Sequence, residues 1–281
     1  NPRYNEQWAH KKIQSEKTWD ITQGDSSIVI AVIDTGVDYN HEDLKANIWK
    51  NPGEGDGDLN GDWCPGICNK DDDGDGLLDE DSQGCGSNGI DGNGNACLYM
   101  NDLDSDDDEN GYADDIRGWD FEGRDNDPMD PYDHGTPVAG IISAVDNGVG
   151  VIGLCFKCSI MPIKGSGLVG SKFLLNPIKY AADNGADIVS NSYGGYYSIQ
   201  AEQDVINYVA ALGALFVASS GNEDSDSSHY PSDYDNVLSV AATDESDRRA
   251  GFSNFGEKVD VAAPGVLILS TIQGNEYKLM S

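Results

Sequence analysis

Long apolar runs alternate with amphipathic segments through most of this chain. Residues 27–33 form an almost unbroken aliphatic run, which is typical of a strand buried on both faces. Apolar positions recur at helical spacing after His134 and again over residues 205–212, so helices are expected there. Further apolar runs of the strand type lie at 159–163, 186–190, 214–219, 236–242 and 259–263.

Strands that alternate with helices predict an α/β fold. We expect three layers, α/β/α, around a mainly parallel, twisted sheet. Pro177 lies inside the helical pattern of residues 172–183 and should kink that helix or delay its start. Ligands of parallel sheets bind at the carboxyl ends of the strands. Asp34 and Asn222 each follow a predicted strand and His134 opens a helix, so the three are expected to converge.

Charge is concentrated in one part of the sequence. The 281 residues carry a formal charge of −33, and residues 51–133 hold 26 acidic and three basic side chains. We therefore interpret the chain as one α/β domain, 1–281, with an acidic insertion at 51–115 that is irregular and rich in disulfides and calcium. Nucleic-acid binding is excluded, because it needs a basic face. No run of 18 apolar residues is present, so no membrane span is predicted.

Six cysteines allow disulfides or a zinc site. Cys155 and Cys158 lie in a mostly apolar stretch, and the acidic loops suit hard cations better than zinc, so disulfides are favoured. Disulfides indicate an oxidising compartment and hence a secreted protein. The absence of an initiator Met and of a signal peptide suggests a trimmed fragment. The remaining cysteines, with no deducible connectivity, are Cys64, Cys68, Cys85 and Cys97.

The insertion repeats a pattern of alternate oxygen-bearing side chains followed by glycine. Alternate oxygens can converge on one Ca²⁺ while the glycine makes a sharp turn. The alternative is a solvated, disordered acidic run. These loops resemble the calcium loops of thrombospondin type 3 repeats. The proposed ligands are Asp56, Asp58 and Asn60, then Asp71, Asp73, Asp75 and Asp79, and finally Asp106, Asp108, Asn110 and Asp114.

Three short motifs carry the chemistry. Each is weak alone, and Asp-Thr-Gly also occurs in aspartic peptidases, which need a second copy that is absent here. In this order and on these elements, they resemble the subtilase family of serine peptidases. The motifs are Asp34-Thr35-Gly36, His134-Gly135-Thr136 and Gly221-Asn222.

The resemblance implies a serine endopeptidase with an Asp-His-Ser triad. His134 would take the proton of a serine, Asp34 would hold the imidazole in its tautomer, and Asn222 would donate to the oxyanion. Pro137 stands where the family usually has a second histidine, and we expect local repacking there. Protein or peptide substrates would be bound by Gly165, Ser166, Gly167, Ser192, Tyr193 and Gly194.

Structural Ca²⁺ is also implied by the resemblance. Asp43 would join the side chain of Asn147 and the carbonyls of Val145, Val149 and Val151, with Asn1 as a further contributor. A second carboxylate cluster precedes the histidine motif. Its members are Asp120, Asp125, Asp127 and Asp130.

The nucleophile of the resemblance is not in the chain. Ser281 matches the first serine of the family's Ser-Gly-Thr-Ser-Met segment, so the nucleophile would come three residues later. The 281-residue chain alone is therefore expected to be inactive and poorly stable. A propeptide outside this chain and a monomeric state are expected. Two alternatives remain open: a non-catalytic calcium-binding pseudopeptidase, and an acidic binder that uses only the insertion.

Overall fold

A computed structural model describes residues 1–54, 106, 108–165 and 174–281. The chain divides into two compact units. The first comprises Asn1–Lys50 and Arg117–Ser281, and the second is Asn51–Ile116. Among the described residues, no helix is both long and apolar enough to cross a lipid bilayer.

The first unit is built on a seven-stranded sheet in which every described pairing is parallel. The strands are β1 (Val29–Asp34), β2 (Trp119–Asp120), β3 (Ser159–Lys164), β4 (Ile188–Asn191), β5 (Leu215–Ser219), β6 (Val237–Thr243) and β7 (Val261–Pro264). Their spatial order is β2-β3-β1-β4-β5-β6-β7. The sheet and its helices confirm the predicted three-layer α/β/α class.

Five α-helices and two short 3-10 helices, Tyr4–Glu6 and Lys45–Asn47, accompany these strands in the described residues. The α-helices are α1 (Trp8–Ile13), α2 (Ser15–Trp19), α3 (Gly135–Ser143), α4 (Leu175–Asp183) and α5 (Gln200–Ala211). Pro137 and Pro177 both lie in the first turn of their helices, where an N–H has no intrahelical partner. Proline is therefore accommodated in α3 and α4 at their starts.

The strand β1 forms the centre of the core. Ala31, Val32 and Ile33 are at most 1% exposed, because neighbouring strands flank β1 and side chains cover both of its faces. The chain runs from β1 outwards to β2 and β3 on one side, and later strands continue on the other. Such a reversal of strand order leaves a crevice beside the carboxyl end of β1, where Asp34 lies.

A two-stranded antiparallel hairpin, β8 (Ile268–Ile272) and β9 (Glu276–Met280), packs beside α3. Ser270 Oγ donates to the carbonyl of Pro137 at 2.7 Å, and Thr271 Oγ1 donates to that of Thr136 at 2.8 Å. A Cβ at Gly140 would lie 2.2 Å from Thr271 Oγ1, so only glycine allows this approach. The hairpin therefore fixes the helix that follows His134.

Candidate active site

The Asp34 carboxylate and the His134 imidazole form a direct hydrogen bond. His134 Nδ1 lies 2.6 Å from Asp34 Oδ1. The Asp34 side chain is 3% exposed, whereas 52% of the His134 side chain is exposed. A buried carboxylate thus holds one nitrogen of a ring whose other nitrogen can face a substrate. The predicted convergence of these two residues is present in the structure.

The position of His134 depends on a close contact between α3 and the end of β1. A Cβ at Gly135 would lie 2.0 Å from the Gly36 carbonyl oxygen and 2.9 Å from Asp34 Cβ. The Gly135 amide also donates to Thr35 Oγ1 at 3.1 Å. Only glycine lets the helix start this near to the strand end.

Asp130 connects the two motifs. Its fully buried carboxylate accepts hydrogen bonds from the hydroxyls of Thr35 and Thr136, each at 2.7 Å. The backbone amides of Tyr132, His134 and Thr136 donate to the same carboxylate at 2.9–3.1 Å. Five donors for one carboxylate provide the compensation that a buried charge needs. The sequence pattern placed Asp130 in a calcium cluster and did not indicate these five donors.

The Asp34 hydrogen bond raises the pKa of His134 above its ordinary value of 6.5, although desolvation opposes that shift. The negative charges of Asp34 and Asp130 act in the same direction as the hydrogen bond. The site therefore stabilises the imidazolium form. That is the form a general base adopts after taking a proton.

The strands β4 and β5 end at the same edge of the sheet as β1. Asn191 pairs with Ile33 on one side and with Ala218 on the other, so β1, β4 and β5 end side by side. Adjacent strands are about 4.8 Å apart. Asn222 lies three residues beyond β5 and is exposed, and its backbone amide donates to Glu223 Oε2 at 2.9 Å.

The predicted substrate segments follow β3 and β4. The Gly165 amide donates to the Asp34 carbonyl at 3.0 Å, which places Gly165 directly beside the candidate site. Ser192, Tyr193 and Gly194 come directly after β4, and the Tyr193 hydroxyl is buried. Ser166 and Gly167 lie outside the described residues.

The residues predicted for the first calcium site come together. The Asp43 carboxylate is fully buried, and Asn147 Nδ2 lies 3.0 Å from its Oδ1. Asn1 Nδ2 contacts the carbonyl oxygens of Val145, at 2.8 Å, and of Val151. Carboxylate, carbonyl and Asn side-chain oxygens of this kind are the ligands that Ca²⁺ takes. The Val149 backbone amide donates a hydrogen bond to Asn147 Oδ1 at 2.9 Å.

The four carboxylates of the second predicted cluster have partners of their own, although a Cβ at Gly123 would lie 3.0 Å from Asp120 Oδ2 and 2.7 Å from Asp125 Oδ2. Asp120 pairs with Lys164 at 2.7 Å, and Asp127 Oδ1 accepts from the Tyr39 hydroxyl at 2.7 Å. Asp125 Oδ1 accepts the amide of Asp127, and Asp130 binds the five donors described above. Within the described part of the chain, these four do not form a group of three or more carboxylates near one point.

The second unit contains such a group. Oxygen atoms of Glu54, Asp108 and Asp115 all lie within 4.8 Å of one another. Asp106 accepts the amides of Asn110, at 2.8 Å, and of Gly111, at 2.7 Å. The pattern predicted Asp106, Asp108, Asn110 and Asp114 but missed Glu54 and Asp115, because neither falls on an alternate position of the loop.

Other predictions in the insertion lie outside the described residues: Asp56, Asp58, Asn60, Asp71, Asp73, Asp75 and Asp79, and the cysteines Cys64, Cys68, Cys85 and Cys97. Cys155 and Cys158 form a disulfide, as favoured from the sequence.

Comparison with known sequences identifies the same family as the motifs do. The profile of the subtilase family matches residues 25–281. A thermophilic serine proteinase of Bacillus sp. (strain AK1) is 32% identical over 281 residues, covering 98% of this chain and 53% of the relative. Thermitase of Thermoactinomyces vulgaris is 30% identical over 279 residues, covering 98% of this chain and 76% of the relative.

A halolysin-like extracellular serine protease, Nep, of Natrialba magadii is 28% identical over 288 residues. The alignment covers 100% of this chain and 42% of that protein. The chain thus spans about half the length of two of these three relatives and three quarters of the third.

Proposed function

Since the chain belongs to the subtilase family, we propose that it forms most of the catalytic domain of a secreted, calcium-stabilised serine endopeptidase. The observation that carries the proposal is the 2.6 Å hydrogen bond between His134 Nδ1 and buried Asp34. It gives the imidazole the environment that a general base for a serine requires.

The proposed mechanism begins with proton transfer. Because Asp34 accepts the Nδ1 proton, neutral His134 presents Nε2 as the base. The nucleophilic serine would come from residues that follow Ser281 in the whole protein. Its oxygen attacks the peptide carbonyl, its proton passes to Nε2, and the imidazolium then returns that proton to the leaving amine.

Asn222 would act where negative charge develops. Its position beyond β5, at the edge that also carries Asp34, suits a side-chain amide that donates to the oxyanion. One such donor is worth about 3 kcal/mol in the transition state. The substrate backbone would be added as a strand between Gly165–Gly167 and Ser192–Gly194.

Calcium would be held by Asp43, the carbonyls of Val145, Val149 and Val151, and the side chains of Asn147 and Asn1. The Nδ2 groups of Asn1 and Asn147 donate to these oxygens, which supports their convergence; as ligands, the two side-chain amides would turn Oδ1 towards the ion. Bound Ca²⁺ would compensate the buried Asp43 charge and join the N-terminal arm to the loop after α3. The 51–115 insertion is proposed as a further calcium-binding module, with Glu54, Asp108 and Asp115 as ligands.

Secretion is supported by the Cys155–Cys158 disulfide and by the relative whose name describes it as extracellular.

The test is hydrolysis of an unfolded protein such as casein by the whole protein. We expect hydrolysis that a serine-phosphonylating reagent abolishes, and none from the 281-residue chain alone. Whole protein that is folded but inert, or active and resistant to the reagent, would contradict the proposal.

A further inference from the structure

The imidazole of His229 lies between two glycines at the candidate site. A Cβ at Gly194 would lie 2.1 Å from His229 Cε1 and 2.7 Å from Nε2. A Cβ at Gly221 would lie 2.9 Å from His229 Cδ2. His229 is only 4% exposed. The ring therefore fills the space between the segment after β4 and the segment after β5.

Hydrogen bonds hold this ring and its loop in place. Ser232 Oγ donates its single proton to the His229 carbonyl at 2.9 Å. His229 Nδ1, 3.2 Å from the same oxygen, must then be the protonated nitrogen and donate to it. Tyr230 and Gly195 exchange two backbone hydrogen bonds of 2.7 and 2.8 Å, which attach the loop to the groove segment.

Burial lowers the pKa of His229, although the charges of Glu223 and Asp233 oppose that shift. The ring is therefore uncharged near neutral pH. Because the ring is neutral, hydrogen-bonded and packed against two backbone segments, it forms a rigid boundary of the space between Gly194 and Gly221.

The place that the ring fills is next to the proposed oxyanion donor, since Asn222 directly follows Gly221. A carbonyl held by Asn222 belongs to the substrate residue before the cleaved bond. The side chain of that residue branches from the carbon next to the carbonyl. A side chain that extends from there over Gly221 and Gly194 meets the ring of His229.

His229 also lines a polar cavity of about 350 Å³. Ser220 and Asn254 contribute to the same lining. Removal of the imidazole would connect this cavity with the space between the two glycines.

We propose that His229 determines the specificity of the peptidase by restricting the residue before the cleaved bond to small side chains, such as glycine, alanine or serine. The inference rests on the proposed function, because it concerns the substrate of that same site.

The test uses the whole protein and peptides that differ only in having Ala, Leu or Phe before the cleaved bond. Wild-type kcat/KM should be at least about tenfold higher for Ala than for Phe, because a hydrophobic pocket discriminates by 10–200-fold for each misfit methylene-sized group. His229→Gly should raise the Phe-to-Ala ratio of kcat/KM by about 10–100-fold on the same basis. His229→Asn, which is smaller and keeps a donor for Ser232, should raise the ratio less.

Ser228→Gly is the matched control, because Ser228 directly precedes His229 and lines the same cavity but is exposed. It should leave the ratio unchanged. If His229→Gly does not fold, the Phe-to-Ala ratios of kcat/KM for the wild type and for His229→Asn still test the inference. A wild-type preference for Phe, or a ratio that neither variant alters, would overturn this inference and leave the peptidase proposal intact. Wild-type protein that cleaves none of the peptides would instead count against the proposed function.

Discussion

His134 Nδ1 and Asp34 Oδ1 lie 2.6 Å apart although 100 residues separate them in sequence. The contact arises because β1 ends in Asp34 and α3 begins directly after His134, with Gly135 packed on the strand end. The pairing therefore depends on a backbone approach as much as on the two side chains.

The Asp34 contact should be visible in the titration of His134. Because the carboxylate raises its pKa, His134 should titrate above 6.5, whereas burial lowers the pKa values of His10 and His229. NMR titration of the imidazole protons, assigned by substitution, measures all three. Asp34→Asn should lower the pKa of His134 and leave the pKa values of His10 and His229 unchanged. A His134 pKa at or below 6.5 in the wild type would contradict the account.

The raised pKa of His134 also determines how the free energy of unfolding changes with pH. A raised folded-state pKa contributes stability below the unfolded value and loses it as pH rises through the folded value. The His134–Asp34 pair should therefore contribute more to the free energy of unfolding at pH 6 than at pH 8. Asp34→Asn should reduce that difference in denaturant titrations.

Gly135→Ala should impair the site without changing any functional group. The new Cβ would collide with the Gly36 carbonyl, so α3 must shift and carry His134 away from Asp34. A displacement of about 1 Å can cost 100-fold in rate, so we expect at least that loss in kcat. Gly251→Ala, with nothing within 4 Å of its Cβ, is the control and should retain activity. Equal activity of both variants would show that the close approach is unimportant.

Asp130→Asn distinguishes a structural carboxylate from a calcium ligand. An asparagine NH₂ would face N–H and O–H donors, so the free energy of unfolding should fall by about 2–4 kcal/mol. If Asp130 only organises the two motifs, the loss should be equal in calcium and in chelator. A loss confined to calcium-containing buffer would instead support the metal cluster expected from the sequence.

Calcium removal should lower the melting temperature through Asp43. At free calcium 1,000-fold above Kd, binding contributes about 4 kcal/mol, or roughly 8–16 °C for a domain of this size. Asp43→Asn should remove most of the difference between calcium and chelator in thermal unfolding. Glu245→Gln, which changes an exposed carboxylate in the segment after β6, should keep it. A melting temperature insensitive to chelation would refute the calcium site.

Much of the fold was predictable because buried parallel strands are long apolar runs. The runs at 27–33 and 159–163 correspond to β1 and β3 within one or two residues. The strand β2 has only two residues, and the hairpin strands β8 and β9 have no strong apolar pattern, so the sequence did not indicate them. Short or half-exposed strands are defined by their tertiary partners.

The candidate site was predictable where chemistry and motif order coincide, as for Asp34 and His134. The role of Asp130 was not, since its five donors depend on how the two motifs pack. Glu54 and Asp115 join Asp108 only through chain folding. His229 carries no motif, and its contact with Gly194 and Gly221 becomes visible only in three dimensions.

The most direct test of the central claim is kcat/KM for one peptide substrate, measured on the whole protein and on its His134→Ala and Asp34→Asn variants. The account predicts a loss of about 10⁶-fold for His134→Ala, which removes the base, and of about 10⁴-fold for Asp34→Asn, which removes its tautomer-setting partner. Folded variants that keep wild-type kcat/KM would show that His134 and Asp34 do not carry the reaction.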